Sequence, residues 1–104
     1  HTQRYEEAAD LIERALALSP GDPAILDSLG WVYFKLGQYS ESEALLREAH
    51  NAFPDPEVAA HLGEVLWVQD RQFEARDVWR DGLNRVPDHP IILEAMKRLG
   101  AELP

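Results

Sequence analysis

Apolar residues recur along this chain at three- and four-residue steps, the spacing of one helix face, and prolines and glycines cut the pattern into pieces of helix length. From Tyr5 to Leu18 the apolar set is Ala8, Leu11, Ile12, Ala15 and Leu16, with Arg4, Glu6, Glu7, Asp10, Glu13 and Arg14 mostly opposite. That piece stops at Ser19-Pro20-Gly21. Asp22 and Pro23 then supply an N-cap acceptor and a proline at the first helical position, where a missing N–H costs nothing. They start a second helix, Pro23 to about Leu36, with Leu26, Leu29, Gly30 and Tyr33 inward, and Gly37 closes it through left-handed backbone. A third helix, Tyr39 to Phe53, buries Ser42, Leu45, Leu46 and Ala49, and Pro54-Asp55-Pro56 repeats the stop-and-start device. A fourth, Pro56 to about Gln69, carries Ala59, Leu62, Gly63 and Leu66; a fifth, Gln72 to Val86, carries Ala75, Val78, Trp79, Gly82, Leu83 and Val86. Pro87-Asp88-His89-Pro90 resets the chain before a last helix, Ile91 to about Leu99, that ends at Gly100. No stretch alternates as a strand does, so the expected fold class is all-α with about six helices.

Equivalent positions recur at a fixed period. Pro20, Pro54 and Pro87 are 34 and 33 apart, as are Ala8, Ser42 and Ala75, and Ala15, Ala49 and Gly82; Gly30 and Gly63 are 33 apart. The residue missing from the second interval falls in the Pro54 to Pro56 turn. A glycine inside a helix costs about 1 kcal/mol relative to alanine, so two of them at matching places imply a packing reason. The expected reason is close approach of Gly30 and Gly63 to the small residues Ser42 and Ala75 of the following helices.

The pattern resembles the tetratricopeptide repeat family, a helix-turn-helix unit with a large residue, leucine-glycine, tyrosine, alanine, an aromatic or aliphatic residue and a closing proline. The matching residues are Leu26, Leu29, Gly30, Tyr33, Ser42, Leu46, Ala49 and Pro54 in one unit, and Ala59, Leu62, Gly63, Leu66, Ala75, Trp79, Gly82 and Pro87 in the next. Departures are Ser42 for alanine, Leu66 for tyrosine, Asp70 where Gly37 stands, and Gly82 for Ala15 and Ala49. The resemblance implies a right-handed superhelical solenoid of antiparallel helix pairs in a single domain over residues 1–104. Within it, residues 1–20 hold the second helix of a truncated repeat, 22–54 and 55–87 two full repeats, and 88–104 a capping helix and tail.

A narrower resemblance rests on RYEEAADLIERAL, LDSLGWVYFKLG and DPEVAAHLGEVLW, and on residues outside the repeat consensus such as Asp27, Ser28, Trp31, His61, Glu64 and Trp67. These stretches are similar to the C-terminal repeats of proteobacterial outer-membrane lipoproteins. That group implies an adaptor facing the periplasm, with a carboxyl-terminal processing protease among its partners and a lipid anchor outside this chain. A cytoplasmic place is the expectation if only the wider resemblance holds.

Composition narrows the chemistry. Ten basic residues stand against 19 acidic, a net charge of −9, which repels phosphate backbones and anionic lipid. Arg71, Arg76, Arg80 and Arg85 form a row, but Glu74, Asp77 and Asp81 interleave with it, so nucleic acid is not an expected partner. There is no cysteine, hence no disulfide frame or thiolate metal site. No apolar run reaches the ~20 residues of a membrane span, and HTQRYEEAAD is no signal peptide. The chain opens on His1, as expected of a piece of a longer polypeptide.

In the tetratricopeptide repeat family the first helix of each pair lines a concave ligand-receiving face. Carried onto this chain, the expected partner-binding residues are Asp27, Trp31, Phe34 and Lys35, then Ala60, Glu64 and Trp67, then Glu94 and Arg98. Large rigid aromatics give contact area at small entropic cost, which suits a protein or peptide partner with basic or apolar side chains. Two plainer readings stand beside it: the aromatics pack between helices, or the whole stretch is a structural cap for a longer array that binds elsewhere. A terminal-carboxylate clamp is not expected, because Asp27 and Glu64 stand where positive or neutral groups are needed. His61 and Glu64, three apart with Glu94 as a third neighbour, are the nearest approach to a metal or acid–base site, and a helix-surface polar pair is the simpler account. No phosphate loop or nucleophile motif exists, so neither enzyme activity nor a cofactor is expected. His50 and His89 lie near helix ends, Glu6-Glu7 and Glu41 to Glu43 read as solvated faces, and Glu43 with Arg47 as an i, i+4 pair. Leu11, Ile12 and Leu16, without a preceding partner helix, are expected to be partly uncovered and to promote self-association.

Overall fold

The computed structural model describes residues 2–101, and all regular structure among them is helical. The helices are α1 (Thr2–Leu18), α2 (Pro23–Lys35), α3 (Tyr39–Ala52), α4 (Pro56–Val68), α5 (Gln72–Arg85) and α6 (Pro90–Leu99). α1 is already helical at Thr2, the first described residue, ahead of the Tyr5 at which the apolar pattern starts. Asp22 Oδ1 accepts the N–H of Ala24 at 2.9 Å and of Ile25 at 3.3 Å; Asp55 Oδ1 accepts that of Glu57 at 2.8 Å. α6 is capped by a histidine, His89 Nδ1 accepting the Ile91 N–H at 3.3 Å.

Three helix ends use one closing device. The N–H of Gln38 reaches the Tyr33 carbonyl, that of Arg71 the Leu66 carbonyl and that of Ala101 the Met96 carbonyl, at 2.9, 3.0 and 2.8 Å. The residue before each donor is left-handed: Gly37 at φ 79°, Asp70 at 63°, Gly100 at 73°. Asp70 takes the glycine's place at some cost, since a Cβ is disfavoured there. The turns also explain the uneven repeat length. Gly21 and Asp88 are equivalent and both left-handed, at φ 81° and 59°. Between Pro54 and Asp55 no residue occupies that place, and the interval is one residue shorter.

The helices group into two compact units, one up to Phe53 and one from Pro54. In the first, α2 packs on both α1 and α3. Its core is Leu26, Leu29 and Gly30 against Ser42, Leu46 and Ala49, with Ala9 from α1. A Cβ on Gly30 would lie 2.8 Å from Leu46 Cγ, so the bare backbone admits that leucine. The buried Ser42 hydroxyl donates to the Gly30 carbonyl at 2.6 Å, which satisfies the one buried polar residue among the described residues of this unit. One turn after Gly30 on α2, the Tyr33 hydroxyl donates to the Glu13 carboxylate and joins α1 to α2.

In the second unit α4 packs on α5 and α6 and is apolar almost all round, with Val58, Ala59, Ala60, Leu62, Gly63, Val65 and Leu66 buried. Trp79 of α5 is the largest fully buried side chain. Gly63 makes room for it: a Cβ there would stand 2.0 Å from Trp79 Nε1. This corrects the expected contact of Gly63 with Ala75. The glycine accommodates the large residue one turn further on, as Gly30 accommodates Leu46. The Trp79 indole N–H donates to the Ala60 carbonyl at 3.3 Å. Gly82 has its own reason, since a Cβ there would lie 2.7 Å from Ile92 Cδ1 and 3.2 Å from Ala59 Cβ. It gives α6 a close seat.

Candidate functional site

The residues expected to meet a partner fall into two groups, one in each unit. In the first, Trp31 and Phe34 sit one turn apart on α2 and stack on each other, with ring centroids 4.7 Å apart and planes inclined by 13°. Lys35 is exposed and its Nζ lies 5.0 Å from the Trp31 centroid and 5.9 Å from that of Phe34. Tyr39, just past the Gly37 turn, tilts against Phe34 at 5.5 Å. Trp31 and Phe34 are half-buried, Tyr39 is exposed, and Asp27 lies one turn before Trp31, half-buried. The result is an aromatic ledge carrying a cation at one end and a carboxylate at the other. Sequence reasoning did not include Tyr39, which is five residues from Phe34 across a turn and so outside any helical period. Such a ledge can stack against planar or aliphatic side chains, and Lys35 held over the rings contributes about 0.5–1 kcal/mol of cation–π attraction at an exposed site.

The second group is more internal. Trp67 is half-buried, tilted on Trp79 at 5.8 Å, and Arg76 Cζ lies 5.2 Å over its ring. Both contacts come from α5, so much of the Trp67 surface is spent on holding α4 to α5. Ala60 is only 1% exposed and offers a ligand almost no side-chain surface. Glu64 is 6% exposed and its two oxygens take a bidentate pair from Arg98 of α6, Oε1 from Nη2 at 2.7 Å and Oε2 from Nη1 at 2.9 Å. Arg98 also donates from Nε to Glu94 at 3.3 Å. Hydrogen bonding to Glu64 raises the Arg98 pKa further, against a smaller opposing effect of burial, with the Glu64 charge and Glu94 adding to the rise. Glu64, Glu94 and Arg98 are thus brought together, as a charge-assisted clasp between α4 and α6 and not as an open subsite. Among the described residues no group of three His, Cys, Asp or Glu side chains is arranged to hold a metal ion. Glu64, the carboxylate in the His61–Glu64 spacing, is committed to Arg98.

A model of a protein family described as "Tetratricopeptide repeat" matches residues 2–65. The chain belongs to the tetratricopeptide repeat family. Its fold is accordingly the all-α arrangement of repeat helix pairs, and the family is one of protein-interaction scaffolds. Among curated relatives, the TPR repeat-containing protein PA4667 of Pseudomonas aeruginosa is 52% identical over 104 residues, covering 99% of this chain. Protein O-mannosyl-transferase TMTC1 of Homo sapiens is 26% identical over 105 residues, covering 93% of it. The chain spans 18% of the length of the first and 12% of the second. A solved chain titled MamA MSR-1 C2 superposes with a TM-score of 0.70 at 25% identity, over 94% of this chain and 59% of that one. A MamA mutant superposes at 0.68 with 26% identity, over 91% and 58%. No helix among the described residues is long and apolar enough to cross a membrane.

Proposed function

We propose that this tetratricopeptide repeat chain is an adaptor segment that holds a protein partner or peptide segment, with the α2 ledge of Asp27, Trp31, Phe34, Lys35 and Tyr39 as a principal contact. The observation that carries the proposal is the Trp31–Phe34 stack, half-exposed and capped by Lys35. A pair of rings held against each other by a single helix loses little freedom when a ligand side chain lies on it. In the second unit Ala60, Glu64, Glu94 and Arg98 are engaged in contacts within that unit. Partner side chains of apolar or basic character suit the ledge, given Asp27 and a net charge of −9. The narrower version, an adaptor on the periplasmic side of the bacterial outer membrane serving a processing protease, draws support from the non-consensus Asp27, Ser28, Trp31 and Trp67 and from the bacterial relative.

Selection of peptides from a random library on the immobilised chain tests the site. Peptides so selected are expected to bind the Trp31→Ala/Phe34→Ala double variant at least about tenfold more weakly while its helical circular dichroism is retained. Equal binding by the folded double variant would remove the ledge from the function.

A second reading, a structural end unit for an array that binds elsewhere, draws support from the Glu64–Arg98 clasp and from the polar Glu94, Lys97 and Arg98 on the exposed side of α6. Deleting this region from the longer protein separates the two: lost stability with retained partner binding favours the end unit.

A further inference from the structure

The exposed side of α1 is not a plain solvated face. Arg4, Glu7, Leu11, Arg14 and Leu18 follow one another at steps of three and four, and all five are exposed, Leu11 by 64% and Leu18 by 86%. This is the spacing with which one helix meets another along its whole length, here about 25 Å. The stripe lies beside the face by which the later helices of this kind receive α2 and α4, and meets its edge at Leu11, whose counterparts Leu45 and Val78 are half-buried. That face is Ser42, Leu46 and Ala49 in α3 and Ala75, Trp79 and Gly82 in α5, all buried, and it corresponds to Ala8, Ile12 and Ala15 in α1. A helix seated on Ala8, Ile12 and Ala15 would therefore leave Glu7, Arg14 and Leu18 outside, as their counterparts Glu41, Glu48 and Ala52 are left outside in α3.

Comparison of the three copies shows what is particular to α1. The equivalent stripes read Gln38, Glu41, Leu45, Glu48, Ala52 in α3 and Arg71, Glu74, Val78, Asp81, Arg85 in α5. In both, the fourth position is acidic, so the middle of the stripe carries two like charges. In α1 it is Arg14, and the fifth position is a leucine. The α1 stripe is thus complementary to itself when reversed. Laid antiparallel on a second copy about Leu11, it puts Leu11 on Leu11, Glu7 beside Arg14 and Arg14 beside Glu7, and Leu18 along the aliphatic stem of Arg4. Among the described residues Glu7 takes a long contact from Gln3, 3.5 Å, on its own helix. We infer that this stripe of α1 is a homotypic docking surface, where a second copy of this chain seats its own α1 antiparallel through Leu11 and two Glu7–Arg14 pairs.

One helix face on each side buries less than the ~1,200 Å² of a stable complex, so the association is weak and reversible. Its charge pairs are exposed and weaken with salt. Sedimentation equilibrium of the 104-residue chain up to about 1 mM at low salt is expected to show a monomer–dimer equilibrium. Glu7→Arg alone, which sets like charges together at both ends, is expected to lower the association constant about tenfold, and so is Leu11→Glu. The double reversal Glu7→Arg/Arg14→Glu should restore association to within about twofold of the original, because the pairs are re-formed with their signs exchanged. All of these positions are exposed, and circular dichroism checks that each variant folds. The inference fails if the chain stays monomeric throughout, if Leu11→Glu leaves association unchanged, or if the double reversal associates no better than Glu7→Arg. In the second case another surface makes the dimer.

Discussion

At position 63 one absent methyl group decides which side chain can fill the seam between α4 and α5. Trp79 Nε1 stands 2.0 Å from where a Cβ would be, so alanine at 63 must displace an indole that is fully buried and hydrogen-bonded to Ala60. Gly63→Ala is expected to cost roughly 2–3 kcal/mol through overpacking, even after the ~1 kcal/mol gained in helix propensity. Gly30→Ala meets Leu46 Cγ at 2.8 Å, a milder clash, and is expected to cost less than about half as much. Trp79→Leu in the Gly63→Ala background removes the rigid indole that the new methyl meets, so in urea unfolding the double variant should lose less than the sum of the two single changes. Equal losses at the two glycines would contradict this account. The positions of both glycines were legible in the sequence as a matched pair, and so was Ser42 beside Gly30, but Leu46 and Trp79, the larger side chains that the two glycines admit, were not. Ala75 and Trp79 lie four residues apart on one helix face, and periodicity does not distinguish two residues on a shared face.

Helix limits followed from Pro, Asp and Gly signals because capping is local chemistry within a few residues of the chain. The ties between helices were not legible, since they join residues far apart in sequence: Tyr33 to Glu13 and Arg98 to Glu64. No spacing rule marks such pairs: the helical period that puts Arg98 on the expected ligand face does not show that its guanidinium also clasps α4. The Tyr33 tie has a measurable consequence. Its hydroxyl donates to the Glu13 carboxylate, which, with partial burial and the nearby acidic charges, pushes the phenol pKa up from 10.0 to about 12. A group whose pKa is higher when folded favours folding in its protonated form. Its contribution is whole below pH 10, the unfolded value, and disappears as pH rises through about 12. Thermal unfolding between pH 9 and 12 should therefore show a fall in Tm that is shallower in Tyr33→Phe, which has no proton to lose at that site. Parallel pH profiles for the two proteins would show the Glu13 bond to be energetically silent.

The molecule has two small cores, and they differ in how many helix faces they enclose. α4 buries eight residues of thirteen, α1 only Ala9 of seventeen. Native-state hydrogen exchange should find the slowest amides of the second unit in α4 and the fastest helical amides of the first in α1, because local opening follows the scarcity of buried contacts. Exchange in α1 as slow as in α2 would count against this ordering. The division of labour between scaffold and site is visible at this scale. Leu29, Gly30, Leu46 and Ala49 could be read from repetition, whereas the ledge of Trp31, Phe34 and Tyr39 depends on residues that do not repeat. Gly30 with Leu46, and Gly63 with Trp79, also bear on how such a chain can be inherited. An unequal crossover between the duplicated stretches, with its junction between the two helices of a pair, would set Leu46 in a seam shaped for an indole and leave a hollow beside Gly63. The reciprocal product would force Trp79 against Leu26, which stands where α4 has Ala59. Exchanges that move both helices together escape both faults, so the heritable cassette is the pair, and each copy carries its own matched lock and key.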